Sequence, residues 1–171
     1  MTIRKTTADD LDAIVPILEE ARRTIAALGI NQWQDGYPNR EVIEEDIRLG
    51  QSHVLVKNGA VIGTFALITC GDPTYDVIEN GHWTTGDDNR NYNAVHRVAI
   101  AVASRGSGAS TEMIRFAADL TRTAGKTSVR IDTHEGNRVM RRMLEKHGFT
   151  LCGEILLQSG APRVAYERAL D

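Results

Sequence analysis

Cysteine is scarce: Cys70 and Cys152 are the only two in 171 residues. They stand far apart, with no Cys-x-x-Cys pair and no Cys/His spacing that would frame a zinc ion. That excludes a disulfide scaffold and a cysteine-based metal site, and leaves two buried free thiols in a reducing cytosol as the expectation. No apolar run approaches the twenty residues that cross a bilayer, and no basic-plus-apolar leader opens the sequence. Positive charge is not in excess: 20 Lys and Arg stand against 23 Asp and Glu, a formal net of −3. Such a balance gives no general attraction to nucleic acid or to an anionic membrane. Internal repeats and low-complexity linkers are also missing. With 42% apolar and 25% charged residues, residues 1–171 read as a single soluble domain, cytoplasmic, with a core of its own.

What is present centres on one stretch. His96-Arg97-Val98-Ala99-Ile100-Ala101-Val102 is rich in β-branched residues and predicts a strand. Arg105-Gly106-Ser107-Gly108-Ala109-Ser110 follows, and from Thr111 to Ala124 the apolar residues recur at helical spacing. Strand, glycine turn and helix together suit an anion. Glycine lets backbone N–H groups approach closely, and the helix start adds unpaired donors and a positive dipole end. A P-loop does not fit, because no Gly-Lys-Ser/Thr follows at the required distance. A dinucleotide fingerprint lacks its third glycine, since position 111 is Thr, although Asp132 lies near the distance of its acidic residue.

The third reading is a coenzyme A pyrophosphate loop. Arg105, Gly108 and Ser110 fall on the Gln/Arg-x-x-Gly-x-Gly/Ala signature of the Gcn5-related N-acetyltransferases (GNAT), with Ser110 where that family prefers Gly or Ala. Further on, Asn137-x-x-Met140-x-x-Met143-Leu144-Glu145-Lys146-His147-Gly148-Phe149 resembles the family's Asn-x-x-Ala-x-x-Leu-Tyr-Glu-Lys-x-Gly-Phe. Two spaced motifs in the right order are far more specific than either alone. The chain therefore resembles the GNAT family.

The remaining segments are compatible. Thr2–Thr6 predicts an edge strand, Thr7 an N-cap, and Leu11 to Leu28 an amphipathic helix that Pro16 should kink or split. A second helix is expected over 41–49. Strands over 53–56 and 61–69 flank the hairpin turn Asn58-Gly59. Cys70 to Tyr92 reads as a long irregular stretch, 128–132 as a strand, a helix starts near Asn137, and strands over 149–157 and 163–169 close the chain. The order predicts an α+β three-layer domain: a mixed, mostly antiparallel sheet of about seven strands with helices on both faces.

The resemblance implies transfer of an acetyl group from acetyl-CoA, without a metal, to the amine of a small molecule, a peptide or a protein N-terminus. It places the cofactor against the backbone of Val98, Ile100 and Val102. The pyrophosphate would lie on Arg105, Gly106, Ser107, Gly108, Ala109 and Ser110, and Asn137 would line the far side. Arg141 and Arg142 are further phosphate candidates. The family's usual acid, a tyrosine, is replaced by Leu144, so Tyr166 or Tyr92 must serve or the thiolate leaves unaided. His96 is the first candidate base and His134 the second. A metal site at Asp132, His134 and Glu135 is discounted, because neighbouring strand residues face opposite ways. Trp33, Tyr37, Tyr75 and Trp83, four of the six Trp and Tyr residues, lie in loops and are candidates for the acceptor pocket. The missing tyrosine also leaves open a non-catalytic acyl-CoA-binding module. The resemblance leaves room for a homodimer, and the charge offers no support for an RNA substrate.

Overall fold

The computed structural model describes residues 1–87 and 90–170; Asp88 and Asn89, in the polar run before Tyr92, lie outside them. Among the described residues, seven strands and four α-helices run in the order β1 (Thr2–Lys5), α1 (Leu11–Ala26), α2 (Arg40–Arg48), β2 (Ser52–Lys57), β3 (Ala60–Ile68), β4 (Tyr92–Ile100), α3 (Ala109–Thr123), β5 (Ser128–Thr133), α4 (Arg138–Lys146), β6 (Thr150–Leu156) and β7 (Pro162–Ala169). The sheet order is β1-β2-β3-β4-β5-β7-β6, with β4 and β5 running parallel. The expected mixed, mostly antiparallel sheet is the one observed. Among the described residues no helix is long and apolar enough to cross a membrane.

Two compact units share the chain. The first comprises 1–67 and 96–113, the second 68–95 and 114–171. In the first, Leu11, Ile14, Ile17, Leu18 and Ala21 of α1 pack with Ile43, Val54 and Ala99. Of the expected kink or split at Pro16, the split does not occur: α1 is one helix through that residue. Proline near a helix start removes one N–H, here the one that would reach the Asp12 carbonyl, and the buried stripe on either side holds the helix together. At the turn after β2, Asn58 and Gly59 have φ of 51° and 79°, the pair of positive values that a two-residue hairpin of matching twist requires.

His53 of β2 is buried and stacked on Phe65, with ring centroids 5.2 Å apart. Burial disfavours the imidazolium and Lys5 adds repulsion, which together lower its pKa from 6.5 to about 4.

In the second unit β7 lies between β5 and β6. Arg130 of β5 is held between the rings of Trp83 and Tyr92, its guanidinium carbon 4.1 Å from each centroid. Its Nε donates to Glu167 at 2.8 Å, and neither side chain is exposed. Burial opposes the Glu167 carboxylate, yet Thr84, Thr85, Arg130 and Ser128 donate to it and lower its pKa to about 2. Both cysteines are free, but Cys70 is exposed rather than buried as expected.

Residues 78–82 cover the outer edge of β6. Glu79 and Glu154 exchange backbone hydrogen bonds of 2.8 Å, and His82 N–H donates to the Cys152 carbonyl at 3.0 Å. The approach is so close that a Cβ on Gly81 would sit 1.9 Å from that carbonyl oxygen. An unpaired edge invites association, and this segment closes it.

Two stability predictions follow from these contacts. Gly81→Ala should cost about 3 kcal/mol, because backbone must move to admit the methyl group; urea unfolding will show it as a lower midpoint. Acidification should destabilise the protein in two stages. Unfolded His53 takes up its proton near pH 6.5 and folded His53 only near 4. Stability is therefore whole above that window and falls through it, by about 3 kcal/mol at most. The Glu167 contribution is lost only below about pH 4.5, as the pH falls towards 2. His53→Asn, which keeps a donor for the Gln51 carbonyl, should flatten unfolding free energy between pH 6.5 and 4.5 and leave the lower limb.

Candidate active site

β4 has two edges and uses them differently. The ladder to β5 pairs Tyr92, Asn93 and Ala94 with Ser128, Val129 and Arg130, while β4 itself continues to Ile100. On the β3 side, Ala101 N–H donates to the Ile62 carbonyl at 2.9 Å. Backbone groups of successive strand residues point to alternate edges. Ala99 and Ala101 therefore face β3, and Val98 and Ile100 face the other edge, past the end of the β5 ladder. Those are the groups an extended ligand would use to add itself as a strand.

The strand breaks after Ile100, two residues earlier than the sequence predicts. Val102 opens a 3-10 turn, Val102–Ser104, instead of ending β4. Its N–H donates to the Glu20 carboxylate of α1 at 2.9 Å, so Val102 is corrected from a strand position to a loop anchor. Four residues along α1, Thr24 Oγ1 accepts from the Arg105 guanidinium at 3.0 Å. Glu20 and Thr24 thus fasten both ends of the turn to one helix face.

Gly106 and Gly108 have φ of 75° and 85°, conformations that side chains avoid. A Cβ on Gly106 would meet nothing within 4 Å, so the demand there is conformational and not steric. Ser107 Oγ donates to the Ser104 carbonyl at 2.7 Å. α3 begins at Ala109, and its first N–H groups, including those of Ala109 and Ser110, have no carbonyl of the same helix to bond. Backbone donors, glycine and a positive dipole end meet here, and the donor set fits the phosphates of coenzyme A.

Asn137 is the N-cap of α4, its Oδ1 accepting from Met140 N–H at 3.2 Å. It positions the helix first of all. Gly148, at φ 78°, closes α4 as the sequence predicts. Leu144 is fully buried. Tyr166, opposite Ile131 in the β5–β7 ladder, is also buried. Its hydroxyl accepts from Arg141 Nε at 2.9 Å and donates to Glu145 at 3.2 Å. Burial raises the Tyr166 pKa although Arg141 opposes it, so the phenol keeps its proton at neutral pH. Arg141 also donates to the Glu135 carbonyl, so it braces Tyr166 instead of standing on a purely solvated helix face.

His96 lies half-buried in β4. The next residue, Arg97, has φ 55° inside the strand. Its guanidinium makes a bidentate pair with Asp46 of α2, at 2.6 and 2.7 Å, and donates to the Tyr37 hydroxyl at 2.8 Å. Burial opposes the Asp46 carboxylate while Arg97, with His96, favours it. Arg97, Asp46, Glu20 and Glu145 had no assigned role in the sequence reading. The available signal was a charge inside a β-branched run and another on the apolar side of a short helix.

The structure separates the four aromatic candidates. Trp33 and Tyr37 pack edge-to-face at 6.4 Å in the loop that reaches Arg97. Tyr75 and Trp83 are each 1% exposed and pack in the core with Tyr92. Tyr75 donates to Asp132 at 2.7 Å, and Trp83 to the Tyr75 carbonyl at 3.1 Å. They are corrected from pocket lining to core, because Tyr75 packs between Trp83 and Tyr92 and the Trp83 ring lies against Arg130. Tyr92 is buried there too, hydrogen-bonded to Asp72. His134 Nδ1 accepts from Gly136 N–H at 3.0 Å, a turn contact. Among the described residues no group of three or more His, Cys, Asp or Glu is placed to hold a metal.

A family model described as the acetyltransferase (GNAT) family matches residues 12–149. Among solved structures, a GNAT-family acetyltransferase from Streptococcus agalactiae is 35% identical, over 99% of this chain and 95% of that one, with a TM-score of 0.88. A second, from Listeria monocytogenes, is 22% identical over 99% and 94% of the two chains, with a TM-score of 0.73. A ribosomal-protein-alanine N-acetyltransferase from Brucella melitensis is 19% identical over 99% and 100%, with a TM-score of 0.67. The last two show the fold alone. No curated protein matches.

The Arg97–Asp46 pair gives this site a measurable stability. Its side chains are 13% and 6% exposed, and removing one partner strands the other charge. Asp46→Asn should lower unfolding free energy by about 3 kcal/mol, read from urea titration at neutral pH.

Proposed function

Because the chain belongs to the GNAT acetyltransferase family, we propose that it moves the acetyl group of acetyl-CoA to a primary amine by direct attack. The observation that carries the reading is the outward-facing backbone of Val98 and Ile100, continuous in sequence with the glycine loop and the start of α3. Val98 and Ile100 pair with the cofactor's amide-bearing arm as an added strand. The Arg105–Ser110 backbone holds its pyrophosphate. Bound acetyl-CoA supplies an activated thioester carbonyl.

His96 takes the proton that the amine nitrogen gives up as its bond to the carbonyl carbon forms. When the carbon–sulfur bond breaks, the sulfur needs a proton. Leu144 has none to give, and Tyr166 is the candidate donor, since it is protonated and braced by Arg141 against α4. Atoms balance: an amine and a thioester become an amide and a thiol. The acceptor is the amine of a small molecule, a peptide or a protein N-terminus.

Thiol release from acetyl-CoA, followed with benzylamine, spermidine and an alanine-starting peptide, tests the reading. Turnover with at least one of the three is the expected result. His96→Ala should then lower kcat about a hundredfold and abolish the acid limb of the kcat/KM profile, while acetyl-CoA still raises the melting temperature. Tyr166→Phe should lower kcat about tenfold. Binding without turnover of any amine would leave an acyl-CoA-binding module. An unchanged pH profile in His96→Ala would remove His96 as the base.

A further inference from the structure

Among the described residues, four that are not glycine have positive φ: Trp33 at 61°, Asn58 at 51°, Asn80 at 55° and Arg97 at 55°. Asparagine tolerates this region, and Asn58 serves an ordinary turn. A tryptophan and an arginine in the same conformation are strained, and strain of this kind persists only where the surroundings enforce it. The two strained residues stand at the ends of one chain of contacts. The Trp33 ring meets the Tyr37 ring edge-to-face at 6.4 Å, the Tyr37 hydroxyl accepts from Arg97 Nη1 at 2.8 Å, and Asp46 grips the same guanidinium with both carboxylate oxygens.

We propose that Arg97 is a positioning residue for the acceptor: locked by Asp46, it latches the Trp33–Tyr37 segment onto β4 beside His96. The proposal rests on the acetyltransferase reading and goes beyond it by naming what sets the acceptor site. A left-handed residue within a strand re-aims its neighbours, and this one follows the proposed base directly. One guanidinium therefore fixes two things together: the backbone at His96, and the aromatic pair that an incoming amine meets. The loop is also tied from behind, as Gln34 donates to the Arg22 carbonyl at 3.3 Å and Arg22 to the Gly36 carbonyl at 3.4 Å. Both are longer than the 2.8 Å charge-assisted bond from Arg97, and the Trp33 ring also packs against the core cluster around α1. The edge-to-face rings present apolar surface, which suits an amine carried on an aromatic or alkyl body more than a polycation.

Tyr37→Phe and Arg97→Lys test the latch. Tyr37 is 36% exposed, so its hydroxyl can be removed without threatening the fold, which covers the case in which Arg97→Lys folds poorly. Trp33 is half-buried and Trp83 is 1% exposed, so acrylamide quenching of tryptophan fluorescence reports chiefly on Trp33. Both variants should quench more readily than the wild type while keeping the acetyl-CoA melting shift. For whichever amine of the panel turns over best, benzylamine being the expected one, the acceptor KM should rise about tenfold on loss of the charge-assisted bond, more than kcat falls. Unchanged quenching in both variants would overturn the latch whatever the kinetics. Increased quenching with an unchanged acceptor KM would overturn the positioning role and leave a merely structural contact. Wild-type protein that turns over no amine would count against the acetyltransferase reading instead, and the quenching result would still judge the latch.

Discussion

A β-strand in the middle of a sheet ordinarily spends both edges on its neighbours. β4 spends one of them for three residues only, with Tyr92, Asn93 and Ala94 on β5, and then runs on to Ile100. Most of the proposed chemistry depends on that short ladder. Backbone donors and acceptors are costly to leave unmade, so a strand edge beyond its ladder is a place where a ligand with amides of its own gains by binding. The glycine loop follows the same strand, and α1 secures that loop through Glu20 and Thr24. The proposed cofactor edge and the proposed base are thus near neighbours on one strand.

The buried charges of the Arg130–Glu167 and Arg97–Asp46 pairs are held by partners that offset their burial. Arg130 and Glu167 are wholly enclosed, and the aromatic faces of Trp83 and Tyr92 together with the hydroxyls of Thr84, Thr85 and Ser128 balance the charges. Arg97 and Asp46 repeat the pattern beside the proposed base. Breaking either pair leaves a charge stranded in a medium that solvates it poorly, and for that reason such pairs fix geometry more than they add net stability. At Tyr166 the same economy keeps a phenol protonated and braced where Leu144 offers no proton.

Local chemistry made much of this legible. Asn58-Gly59 specified its turn, Asn137 and Gly148 marked the ends of α4, and Gly106 with Gly108 marked the loop, because each depends on conformations that only a few residue types adopt. What stayed hidden depends on contacts far apart in sequence. Loop aromatics look alike on paper, yet Trp83 lies against Arg130, more than forty positions on, and Tyr75 packs on Trp83 and donates to the still more distant Asp132. Val102 looked like strand, but its N–H had been taken by Glu20. Pro16 looked like a kink or a split, and the helix is not split because a buried stripe lies on either side of it. Arg97 belonged to a β-branched run, and nothing nearby in sequence revealed its pairing with Asp46 or its positive φ.

The most direct test of the account is amide hydrogen exchange along β4, with and without acetyl-CoA. Saturating acetyl-CoA should slow exchange at Val98 and Ile100, whose N–H groups face the edge beyond the β5 ladder. Ala101, already bonded to β3, should change little. Equal exchange at Val98 and Ile100 in both conditions, with binding verified by a melting shift, would show that the cofactor does not pair with this strand and would contradict the central claim.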